Sequence, residues 1–535
     1  SSAVEKTGVL SRIAEFSMPR KKGSMFWMIL KVLPPVSFLS AFLNNTPVVI
    51  MFVPIIKKWA EKLNLPPSKF LIPLSYAAIF GGVSTLIGTS TNLVVYGLML
   101  DNGFRGISMF ELSKVGIPLA IIGFLYLAVI GHKLLPDTRD PIDVVQDNRK
   151  EYLTECCIKE NSVINGKNIK SAGLRSLNGV YLMAIIRDNS TIETVNDDEI
   201  LYVGDRLLFT GATDNIDDIR KISGLSIVGE EEFINDFGRI RQHLVEVVVS
   251  QRFPGLGQTV LEYNFRSTYR AVIIAIHRNG ERISSKLGDV KLKPGDNLVL
   301  LTTKNFINRW KNSQDFYLVS GIETIDPRVN NKKSILTLSV LVLMVIGAAI
   351  GSYIPLNTVI KLDMFFFAST AFVILVWFKS INAYNYTRTI SWDVLITIAS
   401  AFGISKALVN SGTADYIAGY IIGLTSSWGP VGVLAGVYLI TTIFTEIITN
   451  NAAAALMFPI ALSTADKMML NPVPFFIAIC IAASASFSTP IGYQTNMIVQ
   501  GAGGYRFKDY LKVGLPLNLI AMAVALIIIP VFWKF

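Results

Sequence analysis

The stretch Leu439–Ala461 reads LITTIFTEIITNNAAAALMFPIA, and between Asp415 and Asp466 its sole charge is Glu446. Such a tract predicts an apolar surrounding, yet its middle carries Thr449, Asn450 and Asn451. In hydrocarbon every polar group needs a partner, and non-helical backbone survives only inside protein or beside a cavity. Apolar arms of roughly a dozen residues flank the polar triplet, fewer than the ~20 that a spanning helix needs. The pattern predicts a re-entrant helical hairpin with a polar tip. The alternative is one helix whose Asn pair bonds to a neighbouring helix.

A second copy of the pattern favours the hairpin. Ser40-Ala-Phe-Leu-Asn44-Asn45-Thr46 matches Thr445-Glu-Ile-Ile-Thr449-Asn450-Asn451 at an offset of 405. Ser84-Thr85-Leu-Ile-Gly88-Thr-Ser-Thr91-Asn92 matches Ser488-Thr489-Pro-Ile-Gly492-Tyr-Gln-Thr495-Asn496 at an offset of 404. Lys114-Val-Gly-Ile-Pro118 then matches Lys512-Val-Gly-Leu-Pro516. Three blocks in the same order define an internal duplication, a pointer to a transporter core. Ser1–Ala14 also resembles Ser405–Ala418, while the apolar run between Lys333 and Ser405 has no counterpart. The duplication therefore predicts two or three further helices of repeat one ahead of Ser1.

Composition agrees. Hydrophobic residues make up 51% of the 535, and mean hydropathy is +0.47. The tract after Lys333 is almost free of charge, so it reads as membrane. The net charge of +10 fits basic juxtamembrane loops, and no nucleic-acid partner is expected. Cys156, Cys157 and Cys480 make neither a disulfide framework nor a metal site.

In chain order, residues 1–135 read as membrane repeat one. A first hairpin at 25–56 is broken at Pro34-Pro35 and Asn44-Asn45. An apolar run at 70–100 is interrupted at Gly81-Gly82 and Gly88, and 112–135 cross once. From residue 136 the chemistry turns charged and rich in turns, with short β-branched runs such as Val245–Val249 and Ala271–Ile276. This insert is itself duplicated at an offset of 91, pairing Gly166 with Gly257, Arg187 with Arg278 and Gly204-Asp205 with Gly295-Asp296. Two domains, 136–235 and 236–330, are expected. Each ends in Gly-Asp before an apolar strand and is similar to the TrkA-C domain, the RCK-type ligand-sensing module of potassium-uptake regulators. That likeness implies a small-molecule ligand, or a role in packing or dimerisation. Without a GxGxxG motif no nicotinamide or other organic cofactor is expected. Membrane repeat two occupies 331–535, with spans at 336–354, 358–378 and 391–410 and an interfacial stretch at 411–427. The second hairpin (429–465), a broken helix (474–500) and a last span (511–534) follow.

The loops give orientation. Loop 57–69 holds four lysines and one glutamate, whereas its partner at 462–473 holds Asp466 and Lys467 alone. Loop 101–111 holds Asp101, Arg105 and Glu111, and its partner at 502–512 holds Arg506, Lys508, Asp509 and Lys512. Positive loops stay inside. The repeats are therefore expected to be inverted, with the insert cytoplasmic. The fold class is a polytopic α-helical membrane protein with inverted repeats, re-entrant hairpins, broken helices and inserted soluble α/β tandem domains.

Inverted hairpins bring both tips to the midplane, each against a break. Carbonyl, Ser, Thr and Asn oxygens suit a hard monovalent cation, and helix N-termini suit an anion. Neither motif holds Arg, Lys or His, so co-bound cations must balance a doubly charged anion. Glu446, the one titratable side chain there, is expected to pair with a neighbouring polar group.

The two Asn-bearing tips and the two Gly-x-x-x-Asn breaks resemble the divalent anion:sodium symporter family, part of the ion transporter superfamily. The likeness covers essentially all the membrane portions. The family's tip motif, Ser-Asn-Thr, has become Asn44-Asn45-Thr46 and Thr449-Asn450-Asn451. The resemblance implies one sodium site at Ser40, Asn44, Asn45 and Gly88, and another at Thr445, Thr449, Asn450 and Gly492. It implies substrate contacts at Asn45, Thr46, Thr89, Asn450, Asn451 and Tyr493. The family's Thr-Pro-Pro-Asn after the break is here Thr89-Ser-Thr-Asn92 and Tyr493-Gln-Thr-Asn496. Members with TrkA-C inserts resemble the sulfate-transporting branch, which places sulfate ahead of a dicarboxylate. A sodium-coupled homodimer working by alternating access is the leading expectation. An anion channel, or an anion sensor signalling through the insert, are the alternatives. No enzyme is expected, since His132, His243 and His277 lie outside the motifs and no nucleophile–base pair stands out.

Overall fold

Asparagine and glycine, more than proline, set where the apolar helices stop. The computed structural model describes residues 13–14, 16–138, 153–174, 180–187, 190–192, 198–211, 222–227, 244–283, 287–302, 305–310, 313–321, 331–351, 364–378, 380 and 392–535. The segment likened to Ser405–Ala418 lies largely outside the described residues, as does the boundary expected at 235/236. The chain divides into two compact units.

The first unit comprises Ser1–Asp137, Asp326–Met497 and Phe507–Phe535. Its early helices are α1 (Met25–Ser40), α2 (Asn45–Lys62), α3 (Ser68–Val83), α4 (Ser90–Asp101) and α5 (Ser113–Tyr126). After the insert come α6 (Asn331–Gly351), α7 (Met364–Trp377), α8 (Trp392–Asn410) and α9 (Thr413–Thr425). Next are α10 (Gly429–Ile447), α11 (Asn450–Lys467), α12 (Val473–Ser484), α13 (Gln494–Gly503) and α14 (Phe507–Phe532). The last residues of α13 belong to the second unit.

The middle of this unit is α3 and α12. Every residue from Phe70 to Val83 and from Pro474 to Ser484 is buried, as a helix apolar on all sides requires. α1 and α2 pack on α3, and α10 and α11 pack on α12. Among the described residues four helical runs are long and apolar enough to cross a membrane: Ser113–Leu134, Lys333–Gly351, Thr413–Ile447 and Phe507–Phe532. α7 leaves Phe365 and Trp377 each 80% exposed, a surface suited to lipid.

Three expectations need correction. α1 runs through Pro34-Pro35 unbroken, and the chain turns only after Ser40. In an apolar helix neighbouring groups take up the carbonyls that proline leaves free. α3 likewise continues through Gly81-Gly82 to Val83. These glycines serve close packing: a Cβ on Gly81 would lie 2.0 Å from the Ser37 carbonyl oxygen. Finally, the arms of the second hairpin are helices of 19 and 18 residues, longer than the dozen expected. Arm length therefore does not dictate re-entry; the bonding of the tips must carry that reading.

The second unit, Thr138–Ile325 with Ile498–Arg506, holds two antiparallel five-stranded sheets. One contains β1 (Leu153–Ile158), β2 (Val180–Arg187), β3 (Ser190–Ile192), β4 (Arg206–Gly211) and β5 (Leu225–Ile227) in the order β3-β2-β4-β1-β5. The other contains β6 (Leu244–Val249), β7 (Ala271–Arg278), β8 (Glu281–Arg282), β9 (Asn297–Thr302) and β10 (Phe316–Gly321) in the order β8-β7-β9-β6-β10. Each strand of the second begins 91 residues after its counterpart. Gly166, Gly257, Gly204 and Gly295 all have positive φ, which explains why glycine recurs there. Arg187 donates from Nε and Nη2 to Asp205, and Arg278 does the same to Asp296, every bond being 2.7 Å. Where the first sheet pairs Arg206 with Glu155, the second has Asn297 donating to Glu246 at 2.7 Å and to the Gly501 carbonyl at 2.8 Å.

Burial, with Glu155 and Cys157 adding to it, pushes the Cys156 thiol up to about 12. A thiol raised this way is protonated at every pH below that value, so alkylation at pH 8 requires the sheet to open. Arg187→Ala leaves the buried Asp205 carboxylate with the Tyr202 N–H and removes charge-assisted bonds worth about 1.5–3 kcal/mol. At ~1.4 kcal/mol per tenfold, Cys156 in that variant should alkylate roughly ten- to a hundredfold faster. Arg278→Ala, in the other sheet, should change the rate much less. Equal rates in all three proteins would count against this account of the pair.

Candidate functional site

Both hairpins close on one bond. Ser40 Oγ donates to Asn45 Oδ1 at 2.5 Å; Thr445 Oγ1 lies 3.0 Å from Asn450 Oδ1 and 2.5 Å from the Ala483 carbonyl oxygen, so the two acceptors share its one hydrogen. In each, a hydroxyl at the end of one helix meets the first residue of the next, so the amide carbonyl is satisfied across the turn. Ser40, Asn45 and Thr445 are fully buried, and Asn450 is nearly so.

The breaks share a second set of bonds. Thr85 Oγ1 donates to the Ala41 carbonyl, and Thr489 Oγ1 to the Glu446 carbonyl at 3.1 Å. The same hydroxyls accept from Gly88 N–H at 3.1 Å and Gly492 N–H at 3.3 Å. Asn92 Nδ2 reaches the Thr85 and Gly82 carbonyls, at 2.8 and 3.4 Å. Asn496 Nδ2 reaches the Thr489 and Ser486 carbonyls, at 3.0 and 2.9 Å. These asparagines staple the unwound segments to helix ends that would otherwise carry orphan carbonyls.

Tips and breaks are then cross-linked between halves. Asn45 Nδ2 donates to Tyr493 Oη at 2.5 Å, that hydroxyl lies 3.1 Å from Thr89 Oγ1, and Thr46 Oγ1 donates to Gln494 at 3.2 Å. On the other side Ser90 and Thr91 both donate to Asn451 Oδ1 at 3.1 Å. The structure thus brings together Asn45, Thr46, Thr89 and Tyr493 as one group, and Asn451 with Ser90 and Thr91 as another. The N-termini of α2, α4, α11 and α13 all begin at these residues. Free N–H groups and the positive ends of four helices are the means by which neutral protein holds an anion.

Asn44 and Thr449 stand apart: both are exposed helix caps, and the Thr449 carbonyl is taken by Ala453 N–H. Two other positions come close to the cation motifs. A Cβ on Gly82 would lie 2.7 Å from Asn45 Oδ1, and one on Gly88 would lie 2.6 Å from the Gly82 carbonyl oxygen. A Cβ on Gly492 would lie 2.1 Å from Ser486 Oγ and 2.5 Å from the Thr445 carbonyl oxygen. Ser486 Oγ is buried and has no hydrogen-bond partner among the described residues. At Gly492 two neutral oxygens meet, the Ser486 one unsatisfied among the described residues, a donor set that fits a monovalent cation; at Gly88 one carbonyl oxygen comes as close. Gly82 and Ser486 stand 404 residues apart, the offset of the break motif, which is the signal that locates them. Glu446 bonds to Ser488 N–H at 2.9 Å and to Asn518 Nδ2 at 2.8 Å. Nothing local in the sequence pointed to Asn518.

A helical core with apolar spans and polar tips bonded across it defines a membrane protein of the anion-transporter class. The chain belongs to the citrate transporter family, whose model matches residues 1–468 and 447–534. A protein of Chlamydomonas reinhardtii, named as a proposed regulator of the response to sulfur deprivation, is 32% identical over 99% of this chain and 90% of its own. An uncharacterized transporter of Synechocystis is 32% identical over 90% and 78%. Sodium/sulfate cotransporter 1 of Chlamydomonas reinhardtii is 25% identical over 98% and 82%.

Gly82→Ala should displace the Asn45 amide, since the new Cβ would sit 2.6 Å from Nδ2. Anion affinity should fall about tenfold, the equivalent of ~1.4 kcal/mol. Gly23→Ala is the control, because nothing lies within 4 Å of its added Cβ. Unchanged affinity in a folded Gly82→Ala protein would separate Asn45 from the anion site.

Proposed function

We propose that this chain is a secondary transporter that moves a divalent anion together with sodium by alternating access. The observation that carries it is the cross-linked set of four helix N-termini, with the neutral oxygens of Ser486 and Thr445 at Gly492 and of Gly82 at Gly88 beside them. Sulfate is the first substrate, supported by the names of the sodium/sulfate cotransporters among the relatives; a dicarboxylate is the second. Substrate contacts are Asn45, Thr46, Thr89, Asn450, Asn451 and Tyr493. The sodium pockets are Ser40, Asn45 and Gly88 with Asn44, and Thr445, Asn450 and Gly492 with Thr449, joined by Gly82 and Ser486.

The matched bonds at offsets of 404 and 405 support reading the two halves as repeats, and the loop charges support their inversion. The two sheets of common topology support a pair of TrkA-C-like domains that sense a small ligand or hold a homodimer together on the cytoplasmic side. A sensor of sulfur status is the second reading, favoured by the name of the first relative above. It differs in binding the anion without moving it.

Labelled sulfate uptake into vesicles, across a sodium titration, tests the reading. Asn45→Ala and Asn450→Ala should each lose roughly ten- to a hundredfold in apparent affinity, since each removes a bond worth about 1.5–3 kcal/mol in a poorly solvated site. Both should weaken sodium dependence, because cation and anion binding are reciprocally linked. Asn92→Ala and Asn496→Ala should act on folding instead, as their staple bonds require. Uptake unaltered in the first pair would place the site elsewhere.

Replacing residues 139–325 with a short flexible linker should leave measurable uptake if the insert modulates transport. Complete loss in a folded, membrane-inserted variant would count against a modulating role.

A further inference from the structure

The two halves differ most at one polar pair. Glu446 follows Thr445 at the end of α10, and its Oε1 accepts from Ser488 N–H and Asn518 Nδ2. Asn518, on α14 and 7% exposed, also donates to Ser488 Oγ at 2.7 Å. The corresponding residues of the first half are Ala41, at the tip offset, and Ala120, six past Lys114 as Asn518 is six past Lys512. The backbone bond is common to both halves, Thr85 to Ala41 and Thr489 to Glu446. The second half alone adds a carboxylate and an amide to it.

That pair is left incomplete. Glu446 Oε2 and Asn518 Oδ1 are both buried, and both lack a hydrogen-bond partner among the described residues. Among the described residues the carboxylate has no basic neighbour; its contacts are the Ser488 amide and Asn518. Glu446 is half-buried, but its Oε2 is shut off from solvent; a carboxylate there is balanced by an opposite charge close by, and a cation is the partner that can serve both acceptors at once. Cations in the two neutral pockets would balance a divalent anion and leave Glu446 uncompensated.

We propose that Glu446 and Asn518 form a third monovalent-cation site, filled by sodium and confined to the second half. It rests on the sodium-coupled reading above. Oε2 and Oδ1 supply hard oxygen ligands, the remaining lone pair of Ser488 Oγ a third, and water the rest. The charged ligand makes it the tightest of the three sites, filled before the anion arrives.

The test counts radioactive sodium bound at saturation to the purified full-length protein in lipid nanodiscs, with saturating sulfate. Glu446→Gln keeps the shape and the two bonds to Oε1 but removes the charge; it should bind one sodium fewer. Asn518→Leu should weaken sodium binding at this site about tenfold or more. Glu446→Asp, which restores the charge, should recover the count at lower affinity, separating charge from folding. The same count in wild type and Glu446→Gln would overturn the third site while leaving sodium coupling intact. Sulfate binding with no sodium bound even to the wild type would overturn both. A count that stays one short in Glu446→Asp would assign the loss to packing and reject the site.

Discussion

A side-chain amide placed where water is scarce must find both its donors and its acceptor inside the protein. Asn45 and Asn450 both turn the acceptor to a hydroxyl five residues earlier in the chain, which Asn450 shares with the Ala483 carbonyl. That bond can form only if the chain turns back between the two residues, so the demand of one carbonyl oxygen specifies a hairpin. Once the hairpin closes, the next helix starts at the asparagine and its first N–H groups have no intrahelical acceptor. The tip is therefore left with donors to spare. The breaks obey the same rule through a different residue, since Asn92 and Asn496 consume the carbonyls that unwinding releases.

On this shared frame the side chains differ in ways that bear on chemistry. Gly82 in the first half corresponds to Ser486, Ala41 to Glu446 and Thr89 to Tyr493. The first two changes add polar atoms to the second half and the third moves a hydroxyl outward on a ring, while the Thr85 and Thr489 backbone bonds stay in place. Beside Gly88 the close oxygen is the Gly82 carbonyl, whereas Gly492 meets both the Ser486 hydroxyl and the Thr445 carbonyl, and Glu446 follows Thr445 directly. Two hairpins on one backbone frame thus carry unequal polar groups.

Much of this was legible in the sequence, because asparagine, glycine and threonine at fixed offsets survive as fixed bonds. Thr85 and Thr489, or Gly166 and Gly257, could be paired by counting alone. Proline and paired glycine misled. Pro34-Pro35 and Gly81-Gly82 are strong breakers in water, but in an apolar, tightly packed helix proline's lost bond is tolerated and glycine becomes a contact surface. Asn518 and Ser75 were invisible for a different reason. Their partners lie far away in sequence, and no periodicity of their own helices marks them out from other polar residues on apolar stretches.

Ser75 shows what such a distant contact does. From the buried α3 of the first half it donates to Asn496 Oδ1 at 2.7 Å and lies 2.8 Å from Thr495 Oγ1, with Tyr76 beside it donating to the Phe487 carbonyl at 2.6 Å. The second staple thereby has every polar atom bonded. The reciprocal position, 404 residues after Ser75, is Ile479, which offers no donor, and among the described residues Asn92 Oδ1 remains buried without a partner. An unsatisfied buried acceptor forfeits about 1–3 kcal/mol, and it regains that on exposure to water. The two breaks are thus stapled by the same residue type in the same geometry but with unequal strength. The first yields at lower cost, and because Asn45, Thr89 and Tyr493 share one bonded group, whatever loosens it also frees the hydroxyl that holds the first tip.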